Sequence, residues 1–381
     1  MIRGTAGFLN MSPFSKDDTV VLFISNLSGS DTFALSRFIP EDIDLTITLK
    51  VFFSNEDASF RRKLALRREA GSSKVVVGCS EDMKFKRFGN IYVAVGSTPT
   101  LQSNFLLDKS LGNSGGRNSK GAKKRADYYL SYSPFYTVIL NAILGLNVKR
   151  YIVTGMPRND FLFLSNAERN FASYFNKEPD GRVIFYLPAP RVNKVLKRTM
   201  GKFYGNIINI PDFDIDAFVK FLERNDLYFV VKFDPSEIAM LDPAQKAVLE
   251  ENERILMIDD ERLFEIRMDL YELLPSANLL ITDYSTVYFD YLLLDRPMIF
   301  VPADIRYYKQ EKGFILEPYE KWVPGPIITT QKELQKEILN MLRRDGYRRE
   351  RQRLREILHT YTDASSSRRV WRFIAEVMRR S

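Results

Sequence analysis

Cysteine and histidine are almost missing from this chain of 381 residues, which has one of each, Cys79 and His359. A single cysteine excludes a disulfide within the chain, and the two residues are too few for a structural zinc site of cysteine and histidine ligands. We therefore expect a reducing compartment. His359 lies near the end of the sequence in a strongly basic stretch, and this setting predicts a surface histidine.

Long apolar runs are missing as well. The segment Met1–Asp18 has no apolar core of a signal peptide, and no later stretch reaches the roughly 18 apolar residues that a membrane span needs. The sequence therefore predicts a cytoplasmic protein. Hydrophobic residues make up 45% and charged residues 27%, which argues for a globular chain and against a disordered or membrane-embedded one.

Acidic residues are outnumbered by basic ones, which gives a net charge of +8. An excess of this kind favours an anionic partner, which could be nucleic acid, an anionic membrane face or a phosphorylated substrate. The basic residues cluster at Arg61–Lys63, Lys120–Arg125 and Arg343–Arg355, although each run also fits an ordinary solvated helix face. Nucleic acid is the least favoured partner, because core packing accounts for most of the 19 tyrosines.

Short β-branched and aromatic runs alternate with helical stretches, and this pattern predicts an α/β fold with parallel sheets. It restarts after the polar stretch Asn176–Arg182, which predicts two domains, 1–165 and 166–362, followed by an amphipathic helix within 363–381. The predicted strands are Thr19–Ile24, Lys74–Val77, Ile91–Val95, Tyr151–Val153, Val183–Tyr186, Tyr228–Val231, Asn278–Ile281 and Met298–Val301.

Polar residues follow the strand predicted at Asn278–Ile281 and open a predicted helix. Backbone N–H groups, the Ser285 and Thr286 hydroxyls and the positive helix end would then meet at one point, which suits a phosphate. Ser285 could equally be an N-cap, and Asp283 an ordinary loop residue. Asp290, one turn further on, would hold a substrate hydroxyl or be an exposed helical carboxylate.

The stretch Ile281–Tyr291, followed by Asp295–Pro297, resembles the signature of the CDP-glycerol glycerophosphotransferase family. Val153–Asp160 is similar to that family's Gly-x-Pro-Arg-Asn-Asp motif, and Val323–Ile327 to its Pro-Gly-Pro segment. The resemblance implies a GT-B fold, with two facing Rossmann-like domains, the donor nucleotide on the second domain and the acceptor in the cleft.

Carried onto this sequence, the resemblance also implies a set of substrate-binding residues. Arg158 could equally form a structural ion pair with Asp160, and the Pro-Gly-Pro segment could be a rigid loop. The implied partners are a CDP-linked donor, a lipid-linked or polymeric acceptor and the anionic inner face of the cell membrane. No cofactor is required, and a divalent cation is left open. The implied binding residues are Asp283, Ser285, Thr286, Asp290, Arg158, Asn159, Thr98, Pro324 and Gly325.

The family pattern is broken at both of its histidines. Gly96 stands at one of these positions, in Val95–Pro99, and Asp234 stands at the other, in Lys232–Pro235. Catalysis would then depend on Asp234 or another carboxylate as the base, with Lys232 and Ser97 beside the reacting groups. Three functions follow from this: transfer of a polyol phosphate, transfer of a sugar from a nucleotide-sugar, or a non-catalytic partner.

Overall fold

Two parallel β-sheets organise the chain, as seen in a computed structural model that describes residues 17–42, 48–53, 60–79, 82–83, 86, 89–96, 126–193, 198–199 and 201–380. Most strands are buried on both faces, which explains why they are continuous apolar runs rather than alternating ones. Residues 97–125, and with them Ser97, Thr98 and the Lys120–Arg125 run, lie outside the described residues.

The first sheet has six parallel strands in the order β2-β1-β3-β4-β5-β6. Helices precede or follow several of them, as expected for right-handed crossovers in parallel sheets. The elements are β1 (Asp17–Ile24), α1 (Asp31–Arg37), β2 (Thr48–Phe53), α2 (Phe60–Ser72), β3 (Ser73–Gly78), β4 (Ile91–Ala94), β5 (Tyr128–Ser131), α3 (Pro134–Leu144) and β6 (Tyr151–Val153).

A helical segment joins the two sheets, and the second sheet has five parallel strands in the order β11-β10-β7-β12-β13. A short antiparallel hairpin, β8 and β9, follows β7. The elements are α4 (Phe161–Leu164), α5 (Ala167–Phe175), β7 (Arg182–Tyr186), β8 (Val192–Asn193), β9 (Arg198–Thr199), α6 (Ile215–Arg224), β10 (Leu227–Val231), α7 (Pro235–Ile238), α8 (Pro243–Glu251), β11 (Ile255–Met257), α9 (Asp260–Ile266), α10 (Leu270–Leu273), β12 (Leu279–Thr282), α11 (Val287–Tyr291) and β13 (Met298–Phe300).

Four further helices follow β13. The last of them, α15, returns to the first sheet, where Val370, Trp371 and Ile374 join its apolar core and the Trp371 indole donates to Leu35 O at 3.0 Å. A second core is shared by both halves of the chain, and a third covers the other face of the second sheet. These helices are α12 (Ile305–Glu311), α13 (Gln331–Arg343), α14 (Arg348–Leu358) and α15 (Ser366–Arg380).

All eight strands predicted from the sequence are present within a residue or two of their predicted ends. The strands β2, β5, β8, β9 and β11 were not predicted. The predicted amphipathic helix is α15, and the domain boundaries at 165 and 362 stay predictions.

Candidate active site

The carboxyl ends of the parallel strands carry many of the residues that the sequence singled out. In the second sheet, Lys232 and Asp234 follow β10 and Asp283–Thr286 follow β12. In the first sheet, Gly96 follows β4 and Arg158 follows β6. Since the strands of each sheet are parallel, these segments lie along one edge of their sheet, which is where open α/β sheets bind ligands.

Arg158 lies buried between carboxylates from the two halves of the chain. Its Nη1 donates to Asp31 at 2.9 Å and its Nε to Asp290 at 3.1 Å. The Tyr271 hydroxyl donates to the same Asp290 oxygen at 2.6 Å, and the Tyr132 hydroxyl accepts from Arg158. This group therefore fixes the first half of the chain against the second through charge-assisted hydrogen bonds.

These contacts decide two of the alternatives left by the sequence. Arg158 bonds other carboxylates, so the alternative of an ion pair with Asp160 is excluded. Asp160 instead accepts from the backbone N–H groups of Ser366 and Ser367, at 2.9 and 2.7 Å, where α15 begins. Asp290 is fully buried, which excludes the exposed helical carboxylate.

Arg158, Asn159 and Asp290 were predicted to contact the substrate, and all three are buried. The oxygens Asn159 Oδ1 and Asp290 Oδ1 have no hydrogen-bond partner within the part of the chain that the structure describes. What the geometry shows is a junction between the two halves. A direct contact of these residues with substrate stays a prediction.

A second set of contacts joins the two halves beside this junction. Asp269, which caps α10, accepts from the backbone N–H of Ser30 at 2.8 Å, and burial raises the pKa of its carboxyl to about 7. The Ser28 hydroxyl donates to Asp260 at 2.7 Å, and Lys232 Nζ lies 3.0 Å from the same carboxylate. Lys232 is therefore held where the first half meets the second.

The backbone N–H groups after β12 were predicted to be available to a phosphate, and the structure shows two of them bonded within the protein. One oxygen of the buried Asp283 accepts from the N–H groups of Ala189, Tyr284 and Ser285, at 2.7, 2.5 and 3.1 Å. The N–H groups of Tyr284 and Ser285 are thus not free for a phosphate. The cap position of α11 is Thr286, which makes no side-chain cap bond, so Ser285 is not the N-cap. Ser285 and Thr286 are half-buried.

Arg191 belongs to the same edge and was missed by the sequence analysis. It follows β7, is 2% exposed, and donates through Nη1 to Asp283 at 2.5 Å. Nε and Nη2 each donate to Asp304 at 3.0 Å, and its backbone N–H donates to Glu237. Burial raises the pKa of Glu237 above its usual range. The position of Arg191 in the loop that follows a buried strand was the signal that could have found it.

A family model described as CDP-glycerol:poly(glycerophosphate) glycerophosphotransferase matches residues 80–376 of the chain. This chain belongs to that glycerophosphotransferase family.

Curated relatives agree with this assignment. The chain is 31% identical to a teichoic acid poly(glycerol phosphate) polymerase of Bacillus subtilis (strain 168) over 211 residues, covering 54% of this chain and 26% of that protein. It is 30% identical to a teichoic acid glycerol-phosphate transferase of Staphylococcus aureus over 237 residues, covering 59% and 55%. The chain thus aligns with about half or less of the length of these relatives.

A solved structure of the wall teichoic acid polymerase TagF superposes with a TM-score of 0.74 at 19% identity, covering 96% of this chain and 90% of that one. A structure of a UDP-N-acetylglucosamine 2-epimerase from Listeria monocytogenes superposes with a TM-score of 0.56 at 14% identity, covering 96% and 98%. These likenesses concern the fold. Together with the two parallel sheets, they confirm the predicted GT-B architecture.

The first position at which the glycerophosphotransferase motif would carry histidine has an unusual backbone here. Gly96 has a φ of +79°, in the left-handed region, and its N–H donates to Asp31 at 2.8 Å. Among the described residues the nearest atom to a Cβ at this position is the Cβ of Cys79, at 3.7 Å, so these residues leave room for a side chain, but the backbone disfavours one. Burial raises the pKa of the Cys79 thiol to about 11, which leaves it protonated.

The second such position, Asp234, has an ordinary extended backbone with a φ of −68°. One of its oxygens accepts from the backbone N–H of Ser236 at 2.9 Å and from the Ser236 hydroxyl at 2.6 Å, so the side chain caps α7. Asp234 is half-buried at the same sheet edge as Lys232. Its assignment as the base stays a prediction.

The Pro-Gly-Pro segment of the family lies along the outer edge of β13. Pro326 O accepts from the N–H of Phe300 at 2.9 Å, and a Cβ atom on Gly325 would lie 2.2 Å from Met298 O. Glycine is therefore required for this close backbone approach. The contact predicted between Pro324, Gly325 and the nucleotide stays a prediction.

The prediction of a surface histidine at position 359 was wrong. His359 is 4% exposed, its Nε2 lies 2.8 Å from Phe289 O, and its ring packs edge-on against Tyr132. Burial lowers its pKa, so the ring is held neutral. The prediction failed because α14 is amphipathic: Arg353 is exposed, whereas Leu354, Leu358 and the following His359 lie on the buried side.

Within the ranges that the structure describes, no three acidic, histidine or cysteine side chains are arranged to hold a metal ion. A role for a divalent cation stays open.

Proposed function

We propose that this chain is a transferase that moves glycerol phosphate or ribitol phosphate from a CDP-linked donor to a polymer or glycan acceptor of the cell surface. Membership of the family supports the reaction class. The choice of polyol is left open, since the similar proteins include a teichoic acid glycerol-phosphate transferase and, in Bacillus spizizenii, a teichoic acid ribitol-phosphate primase.

The observation that carries the proposal for this chain is the segment Asp283–Thr286. Its carboxylate is turned inward to Arg191, which leaves the hydroxyls of Ser285 and Thr286 as the polar groups at the carboxyl end of β12. Hydroxyl groups at such an edge can donate to the two phosphates of a nucleotide diphosphate. Lys232 lies at the end of β10 in the same sheet and offers a positive charge.

In the proposed reaction an acceptor hydroxyl attacks the β-phosphorus of the donor. The bond from that phosphorus to the bridging oxygen breaks, CMP leaves with that oxygen, and the hydroxyl proton passes to a base. Asp234 is the candidate base. Lys232 would offset the negative charge that develops on the phosphoryl oxygens.

The test uses calorimetric titration of CDP-glycerol and CDP-ribitol, together with release of CMP in the presence of a glycolipid that carries a terminal glycerol phosphate. We expect the double variant Ser285→Ala/Thr286→Ala to weaken donor binding roughly 100-fold or more, because two hydrogen bonds to charged oxygens are lost. Thr362→Ala, which removes an exposed hydroxyl elsewhere, is the control. A wild-type protein that neither binds these donors nor releases CMP would contradict the proposal.

A nucleotide-binding homologue without catalysis is the second candidate. It is favoured by the left-handed backbone at Gly96, where the family motif carries histidine. Donor binding without CMP release from either donor would identify it.

We also propose that the chain docks on an anionic membrane face. No helix in the described segments has both the length and the apolar composition that a membrane crossing needs. Exposed arginines, including Arg343 and Arg344 at the end of α13 and Arg379 and Arg380 at the end of α15, support docking by charge. Within the Arg343–Arg355 run, the buried Arg351 is neutralised by acidic neighbours and offers no charge to a surface.

A further inference from the structure

The buried Arg191 is hydrogen-bonded at every nitrogen of its side chain. Nε and Nη2 form a bidentate pair with Asp304, each at 3.0 Å, and Nη1 donates to Asp283 at 2.5 Å and to Ala189 O at 2.6 Å. The side chain is 3% exposed and both carboxylates are fully buried. A bound substrate would therefore not touch Arg191 in this arrangement.

Arg191 and its three side-chain partners come from the segments that follow four different strands of the second sheet. Arg191 itself follows β7, Glu237 lies in α7 after β10, Asp283 follows β12 and Asp304 follows β13. Asp304 also accepts from the backbone N–H of Lys202, after the β8–β9 hairpin, at 3.0 Å. The guanidinium of Arg191 thus connects the segments after β7, β12 and β13, and its backbone N–H adds the segment after β10 through Glu237. Of the segments at this edge of the sheet, only the one after β11 is not bonded to Arg191 by these contacts.

The connection continues directly into the segment proposed to hold the donor. The Asp283 oxygen that does not contact Arg191 accepts from the N–H of Ser285 at 3.1 Å. The Tyr284 hydroxyl donates to Asp304 at 3.0 Å, and its ring stacks on Tyr308 with the ring centroids 4.0 Å apart. Tyr284, which precedes Ser285, and the backbone N–H of Ser285 itself are therefore fixed through carboxylates that Arg191 binds.

We propose that Arg191 is a positioning residue, which acts through Asp283 to hold the Ser285–Thr286 segment in the conformation that receives a nucleotide diphosphate. This rests on the proposed function. A buried guanidinium without its carboxylates, or a buried carboxylate without its guanidinium, is strongly destabilised, so the loops have no low-energy way to separate. If the ion pairs of Arg191 served only to stabilise the fold, replacing Arg191 would lower stability without a specific loss of donor affinity.

Arg191→Lys tests this, because lysine keeps the charge but cannot make the bidentate contact. We expect the Kd for CDP-glycerol to rise roughly tenfold or more, since small displacements of binding groups have large effects. We also expect faster amide hydrogen exchange in the segment 283–290. Asp304→Asn, which leaves Arg191 in place, should shift both measurements in the same direction by less and covers the case in which Arg191→Lys fails to fold.

Arg351→Lys is the matched control. Arg351 is equally buried and bonds two carboxylates, Asp345 and Asp295, away from this edge. If the Arg191 and Arg351 variants lose stability alike, and neither changes donor affinity or exchange at 283–290, Arg191 has no positioning role. If the wild-type protein binds no CDP-linked donor, the proposed function fails, whereas the exchange measurement still decides whether Arg191 holds the segment.

Discussion

Residues 96 and 234 differ sharply in which side chains their backbone would tolerate, although both are predicted to align with a histidine of the family motif. The left-handed φ of Gly96 makes any side chain there strained, whereas Asp234 has a backbone that any residue can adopt. A histidine at position 96 would therefore require the backbone at this residue to leave the left-handed conformation. At position 234 the substitution needs no such change.

The substitution Asp234→Asn distinguishes the two possible roles of Asp234, as the catalytic base and as the cap of α7. Asparagine keeps the oxygen that accepts from the Ser236 N–H but cannot accept a proton, so we expect turnover to fall by roughly 10² to 10⁴ while donor affinity survives. The measurements are the steady-state rate of CMP release and the calorimetric Kd. Asp259→Asn is the control, since Asp259 caps α9 in the same way, accepting from Glu261 at 3.0 Å.

Equal rates for the two asparagine variants and the wild type would remove Asp234 from the chemistry. Asp234→His is then a second test, because it restores one predicted histidine of the family motif. A gain in CMP release would support a polyol-phosphate transferase that has lost part of its catalytic machinery.

Arg191 shows why the site could be predicted only in part. The local pattern located Ser285 and Thr286, because they lie where an apolar strand gives way to a helix, and the family resemblance located Lys232. The partners of Arg191, in contrast, lie 92 and 113 residues away along the chain, and a pairing over such a distance has no local sequence signal. The same holds for Asp31 and Arg158, which are 127 residues apart.

At the scale of elements, α15 depends on a capping carboxylate from the joint between the sheets. Asp160 accepts from the first N–H groups of this helix, so Asp160→Ala should lower the free energy of unfolding by about 1–2 kcal/mol. Trp371→Ala, which leaves a cavity under the first sheet, should cost about 3–5 kcal/mol. Urea unfolding followed by circular dichroism measures both.

The control for the cap is Asp363→Ala. Asp363 accepts from Ser365 at 3.1 Å just before the same helix, but its side chain is exposed. If the Asp160 and Asp363 variants are equally stable, the buried cap contributes nothing of its own.

The elements themselves were predicted where burial on both faces selects β-branched residues. Val75–Val77 in β3 and Val230–Val231 in β10 are examples, and both strands are internal to their sheets. The missed strands of the two sheets have less of that composition. β5 has no β-branched residue, β11 has only Ile255, and Lys50 interrupts the apolar run of β2.

At the scale of the whole molecule, the net charge of +8 predicts binding to anionic vesicles, which can be tested directly. We expect flotation with vesicles that contain phosphatidylglycerol, no flotation with phosphatidylcholine alone, and loss of binding as salt rises. Arg343→Gln/Arg344→Gln should weaken binding by about 2 kcal/mol, at about 1 kcal/mol for each basic residue near the surface.

Lys220→Gln/Arg224→Gln removes the same charge from the exposed face of α6 and is the control. If both double variants lose vesicle binding equally, the net charge alone would explain the binding, and there would be no specific docking face. Equal flotation with both kinds of vesicle would contradict docking by charge.

The return of α15 to the first sheet has a consequence for the order in which the protein is made. The Trp371 indole bonds a carbonyl that precedes it by 336 residues, and it fills a core whose strands are synthesised early. The first sheet must therefore wait, with part of its apolar face uncovered, until the second sheet has been translated. During synthesis the half of the chain that is made first is the last to be completed, and this interval is when it is most exposed to aggregation.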